Sequence, residues 1–274
     1  MEERGMNERI KKLRRQSVDT PARIYMERAD LMTDAYKMYE GSVSVPEMRA
    51  LAFKYFMEHK HLCINDGELI VGEKGDGPQK SPTFPELCCH TLEDMHVMND
   101  RELISFKVTD EDLKLQEEKI IPYWEKRSIR HKIINAMTPE WRDCYESGIF
   151  TEFMEQRGPG HTVGSQKIYT KGFLDYQKDI QDAMDKLDFL NDPEALDKQN
   201  ELKAMSIACD AIMILGKRYA AMAREMAEKE TDPVRKEELL QIAHNCDVVP
   251  AHKPETYWQA IQLYWFTHLA VTTE

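Results

Sequence analysis

A predominantly α-helical chain with a few short strands is what this sequence predicts, on three observations. Leu202, Met205, Cys209, Ile212, Gly216, Tyr219, Ala223 and Met226 alternate steps of three and four over seven intervals, which is the period of one helix face. Helix-opening signals recur: Thr20-Pro21, Pro46, Thr109-Asp110-Glu111-Asp112, Thr138-Pro139 and Thr231-Asp232-Pro233. The residues that follow each signal place apolar side chains at helical spacing. With 274 residues the chain can bury a substantial core, and no linker divides it.

Taken in order, residues 21–40 read as a helix with Ile24, Arg28, Leu31, Met32, Ala35 and Tyr39 on one side and Thr20 as its cap. Gly41-Ser42 ends it, and Pro46 opens a second helix whose buried face is Met48, Leu51, Ala52, Tyr55, Phe56 and His59. Asn65-Asp66-Gly67 is turn chemistry, and Glu68-Leu69-Ile70-Val71 suits a short strand. Residues 74–85, rich in Gly, Pro and Ser, form a loop; Gly75 and Gly77 lack the Gly-Lys-Ser/Thr that a phosphate loop needs. Helices are expected over 85–99 and 110–136, the second kinked or split by Pro122, and again from Thr138-Pro139 to about residue 148. Residues 166–169 read as extended and 171–187 as helical. The long stripe follows, with Gly216 marking a close helix crossing, and then helices from Pro233 and from Thr256. The last of these is apolar on most sides, so a larger structure is expected to cover it.

Composition excludes several classes. Hydrophobic residues make up 42% and charged ones 31%, and no apolar run reaches the span of a membrane helix. The charged start MEERGMNERIKKLRR is unlike a secretory signal, so a cytoplasmic location with no membrane partner is expected. The net charge of -12 opposes binding to phosphate backbones, and the Arg9–Arg15 basic cluster, with no interleaved aromatics, reads as a solvated helix face; no nucleic-acid partner is expected. Six cysteines, at 63, 88, 89, 144, 209 and 246, form no disulfide framework. Cys88-Cys89-His90 with His96 lacks the paired spacing of a zinc site, and Cys209 on the apolar stripe reads as core.

Between the two helical halves stands residues 150–164, Phe-Thr-Glu-Phe-Met-Glu-Gln-Arg-Gly-Pro-Gly-His-Thr-Val-Gly. It gathers aromatic, acidic, basic and imidazole groups around a Gly-Pro-Gly turn that neither a helix nor a central strand tolerates. A plain connector between helical layers is the alternative to a functional loop. His161 in this loop bears the side chain most easily poised between proton donor and acceptor near neutral pH.

In this order, Glu68-Leu-Ile-Val-Gly72, Ile121-Pro-Tyr-Trp124, Phe153 to Val163, and Ala251-His-Lys-Pro-Glu-Thr-Tyr-Trp-Gln-Ala260 resemble the amino-terminal third of glycyl radical enzymes of the pyruvate formate-lyase superfamily. Glu-Gln-Arg-Gly-Pro-Gly-His-Thr is the discriminating stretch, similar to the branch that dehydrates trans-4-hydroxy-L-proline to pyrroline-5-carboxylate. The resemblance implies the amino-terminal part of a ten-stranded α/β barrel wrapped in helices. Residues 1–274 then form one incomplete domain, a helical shell plus the substrate-facing loop 150–164, with the barrel core and glycyl radical domain absent. It implies a small-molecule substrate, a catalytic and substrate-contacting His161, and Phe153 packing against the substrate ring. It further implies a glycyl radical whose site is absent from this chain, a radical-SAM activating enzyme that installs it, no bound metal, and a homodimer at full length. Glu152, Glu155 and Arg157 receive no catalytic role, and His252 and Lys253 read as cap or interhelical contacts. None of the six cysteines stands in the context of the family's thiyl residue, so the chain is expected to be inactive alone. Other glycyl radical eliminases (diol dehydratase, choline C–N lyase, formate acetyltransferase-like) and a radical-free helical binding protein are the alternatives.

Overall fold

The computed structural model describes residues 7–149 and 163–274. The helices are α1 (Glu8–Asp19), α2 (Glu27–Tyr39), α3 (Val45–His59), α4 (Leu92–Asp100), α5 (Asp110–Leu115), α6 (Ile121–Trp124), α7 (Ile129–Ala136), α8 (Pro139–Glu146), α9 (Phe173–Met184), α10 (Ala195–Lys229), α11 (Pro233–Val248) and α12 (Tyr257–Thr273). The two strands β1 (Arg23–Tyr25) and β2 (Lys80–Pro82) pair in parallel, with Ile24 opposite Ser81. The architecture is thus mostly helical with few strands, as the sequence predicts. Among the described residues no helix is long and apolar enough to cross a membrane.

The 35-residue α10 is the central column, with α3, α9, α11 and α12 packed around it. Its inward face from Cys209 through Ile212, Gly216 and Tyr219 to Ala223 is buried, as the three-four spacing requires. The stripe does not extend to Met205, which is 53% exposed, although Ala204 beside it is buried. At Gly216 an added Cβ would stand 2.5 Å from Pro250 Cδ, so the expected close crossing is made with the end of α11. Phe56, Ala211, Leu215, Ile242, Phe266 and Leu269 fill the main core. A second, smaller core gathers Ile24, Met26, Met95, Ile120 and Trp124 under α2. Arg28 ties the two halves together: fully buried, it lies 4.0 Å over the Phe84 ring, pairs with Glu86, and donates to the carbonyls of Thr83 and Thr273.

Local chemistry explains where the expected boundaries move. Thr20 and Pro21 do not open a helix: the Thr20 hydroxyl donates to Gln16 O at the end of α1, and residues 23–25 are drawn out into β1. In α3 the predicted start holds, with a reciprocal Ser44/Glu47 cap, but the buried set is Ala50, Ala52, Phe53, Phe56 and Met57. The expected helix over 85–99 begins only at Leu92, where Thr91 and Asp94 cap each other. Helical structure runs without a gap from Asp110 through Pro122 to Trp124, and the run to residue 136 is split instead at residues 125–128, where Ser128 caps α7. Proline has no N–H to continue the ladder, and the turn before it widens into a π segment, Gln116–Ile120, closed by Ile121 N–H on Gln116 O. Residues 165–169 form a 3-10 turn rather than an extended run, because Gly164 takes a left-handed φ of 73° just before it.

Candidate functional site

Residues 68–71 are not a strand, and the reason organises the site. The Asn65–Glu68 turn, with Gly67 at φ 86°, delivers a segment that bends at Leu69 and Ile70 and finds helix side chains instead of a neighbouring strand. Arg235 of α11 donates to Glu68 O (2.7 Å). Trp258 of α12 donates to Leu69 O (2.7 Å), and Trp265 to Gly72 O (2.7 Å). Gln262 holds Val71 from both sides, accepting from its N–H (2.9 Å) and donating to its carbonyl (2.7 Å). Glu73 N–H donates to the Tyr219 hydroxyl (3.2 Å), and Lys60 donates to Glu73 O (2.6 Å). Trp258, Gln262 and Trp265 recur at steps of four and three, so one face of α12 reads out successive residues of the segment.

Sequence reasoning missed this clamp. Its signal was available: glutamine and tryptophan at helical spacing in an otherwise apolar helix mark groups that need buried partners. The environment is low in polarity. Burial pushes the Lys60 ammonium down to about 8 and raises the Tyr219 phenol, while burial and the neighbouring Glu68 raise the Glu73 carboxyl. Gly72, at φ 136°, is required here, since a Cβ would meet the Trp265 ring at 3.0 Å.

The described flank of the 150–164 loop is fastened to the same helix layer. Val163 is buried, and the following 3-10 turn leads to Gly172, where a Cβ would run into the Ala251 carbonyl and the His252 backbone. Phe173 N–H then donates to Pro250 O (3.0 Å) and Leu174 N–H to Ala251 O (3.1 Å). His252 N–H donates to Val248 O (2.8 Å) at the end of α11, and Thr256 caps α12. The C-cap of α11 is Val249, and the His252 ring and Lys253 border a polar cleft of about 660 Å³ shared with Lys171, Asp175 and Asp182. The structure thus brings three sequence motifs together on α11 and α12: the apolar segment 68–72, the exit of the loop, and residues 251–256. Phe153 and His161, with Glu152, Glu155 and Arg157, lie outside the described residues.

The cysteines behave as packing groups. Burial raises Cys209 to about 11 and Cys246 to about 12, both in the core. Burial also raises Cys63 to about 12 and Cys89 to about 11; Cys63 donates weakly to Gly75 O, and Cys89 accepts from Gln116. Among the described residues no group of three His, Cys, Asp or Glu side chains is placed to hold a metal ion.

The helical layer thus holds the 68–72 segment and the described exit of the glycine-rich loop, and the chain belongs to the pyruvate formate lyase-like family, whose model matches residues 6–274. Over 271 residues, 99% of this chain, it is 62% identical to trans-4-hydroxy-L-proline dehydratase of Clostridioides difficile, covering 34% of that protein. The crystal structure of that organism's hydroxyproline dehydratase with trans-4-hydroxy-L-proline bound superposes with a TM-score of 0.94, over 98% of this chain and 34% of the other. The glycerol-bound B12-independent glycerol dehydratase from Clostridium butyricum gives 0.90 at 30% identity over 98% and 34%. A glycyl radical enzyme from Archaeoglobus fulgidus gives 0.88 at 32% over 97% and 34%. The chain spans about a third of the length of the relatives it matches.

Proposed function

We propose that this chain is the amino-terminal portion of a glycyl radical lyase that dehydrates trans-4-hydroxy-L-proline to pyrroline-5-carboxylate. One observation carries the reading: 62% identity over nearly the whole chain to a hydroxyproline dehydratase, against about 30% to the diol-type enzyme. The radical group of the complete enzyme would supply the chemistry, reversible removal of a hydrogen atom from the substrate so that the hydroxyl can leave as water. The thiyl cysteine and the radical glycine come from polypeptide outside this chain. The six cysteines here lack the sequence context of that thiyl residue, and four of them are packed as described above.

What this chain contributes is position. His161 contacts the substrate and gives a proton to the departing hydroxyl, and Phe153 packs against the ring. The Gly164 and Gly172 turns, fastened to 250–252, hold the loop's exit. A radical-SAM enzyme installs the glycyl radical, no metal is bound by this portion, and the full-length protein is a cytoplasmic homodimer. The isolated 274 residues are inactive. The test is a chimera in which this chain replaces the corresponding third of the Clostridioides difficile enzyme, activated anaerobically and offered hydroxyproline or 1,2-propanediol. Pyrroline-5-carboxylate from hydroxyproline, with no propanal from the diol, is expected; preference for the diol overturns the substrate assignment.

A further inference from the structure

Two left-handed glycines flank the 150–164 loop, and their surroundings differ. At its entry Gly148 takes a φ of 74°, and an added Cβ there would meet nothing within 4 Å among the described residues. At its exit Gly164 takes nearly the same φ, 73°, but an added Cβ would stand 2.5 Å from Ile168 Cγ2. Both Ile168 and Val163 are buried, so the exit turn is seated in the helix layer on either side of Gly164. Ser165 follows it into the left-handed region at φ 52°, a conformation that a residue with a side chain keeps only where its surroundings enforce it. The turn closes with Lys167 N–H on Gly164 O (3.2 Å), and Tyr169 at its end borders a cleft of about 550 Å³ with Tyr257, Ile261 and Tyr264 of α12.

Distance along the chain makes the exit the end that matters to His161. Gly164 lies three residues after it, a reach of at most about 11 Å, whereas Gly148 lies thirteen residues before it, a reach of up to about 45 Å. A shift of the exit turn therefore passes to His161 with little slack. A misplacement of about 1 Å at a reacting group is enough to cost about 10²-fold in rate.

We infer that Gly164 and Ile168 are positioning residues for the dehydration: the Ile168 methyl, seated against the bare Gly164 backbone, fixes the turn through which the chain delivers His161 to the substrate. Their effect passes through His161, and the inference rests on the role given to that histidine above.

Kinetics of the activated chimera test it, with rates expressed per glycyl radical counted by electron paramagnetic resonance. Gly164→Ala should lower kcat for trans-4-hydroxy-L-proline about 10²-fold and change KM less than kcat. Gly148→Ala imposes the same backbone strain without the contact and should leave kcat within about twofold, because the strain falls far along the chain from His161. Adding Ile168→Leu to Gly164→Ala removes the Cγ2 methyl that the new side chain meets, and should restore kcat at least about tenfold. In a His161→Asn background Gly164→Ala should cost nothing further, since both act on one step. Where Gly164→Ala does not fold, Ile168→Ala removes the contact without a clash and should itself lower kcat about tenfold. Equal losses from the two glycine substitutions, no recovery with Ile168→Leu, a loss that multiplies with that of His161→Asn, or Ile168→Ala at the unsubstituted rate would each overturn the inference. A deep loss for His161→Asn with none for Gly164→Ala would refute the positioning alone, whereas a normal rate for His161→Asn would refute the histidine's role and the positioning with it.

Discussion

Lys60 offers a pH experiment whose sign follows from its burial. Its side chain is fully buried, donates to Glu73 O and lies 5.5 Å from the centre of the Phe56 ring. Burial lowers its pKa from 10.5 to about 8; Glu27, Cys63 and Glu73 pull the other way, and Arg218 adds to the lowering. Between pH 8 and 10.5 the unfolded chain holds a proton that the folded chain has released, so this site's contribution to stability rises with pH across that window. Below about pH 8 both states carry the charge and the fold bears its full desolvation cost. At 1.36 kcal/mol per pH unit, the interval from about 8 to 10.5 corresponds to about 3 kcal/mol. Burial raises Tyr219, Cys63 and Cys246, which act in the opposite sense at high pH, so a single stability curve would mix the signs. The difference between wild type and Lys60→Met separates them. Urea unfolding of both proteins from pH 7 to pH 10.5 should show wild type gaining about 3 kcal/mol on the variant. Parallel curves would refute the buried, easily neutralised amine.

Three substitutions test the clamp and the helix crossing. Gln262→Leu leaves both polar groups of Val71 buried without partners and should cost about 2–6 kcal/mol in urea unfolding, at about 1–3 for each group; a loss under 1 kcal/mol would show that water replaces the amide. Gly72→Ala forces a side chain to φ 136° against Trp265 and should cost about 1–3 kcal/mol, with a changed tryptophan emission spectrum; unchanged stability and emission would count against the tight approach. Gly216→Ala would ordinarily stabilise a helix interior by about 0.8–1 kcal/mol. Here the new methyl meets Pro250, so thermal melting should show a net loss, and a gain would mean that α10 and the end of α11 are not in close contact.

Much of the helical layer was legible because its signals are local. The start at Pro46, the Thr138-Pro139 start, the π segment before Pro122 and the Cys209–Ala223 face depend on residues within a turn or two of one another. The errors arose where distant partners decide. Arg23–Tyr25 is extended because Lys80–Pro82 lies beside it, and nothing near Pro21 announces that pairing. Residues 68–71 have strand composition, but their backbone bends at Leu69 and Ile70 and their hydrogen bonds go to side chains nearly 200 residues later. The loop stood out in the sequence by its Gly-Pro-Gly and histidine content. Its fastening to Pro250 and Ala251 was not, because Gly172 is an ordinary helix-start glycine until the His252 backbone is seen against it.

The central claim concerns the proton that leaves with the hydroxyl, and His161→Asn in the activated chimera tests it most directly. Turnover of trans-4-hydroxy-L-proline should fall about 10²–10⁴-fold, while the glycyl radical signal in electron paramagnetic resonance stays at the unsubstituted level. Turnover unchanged at equal radical content would contradict the account.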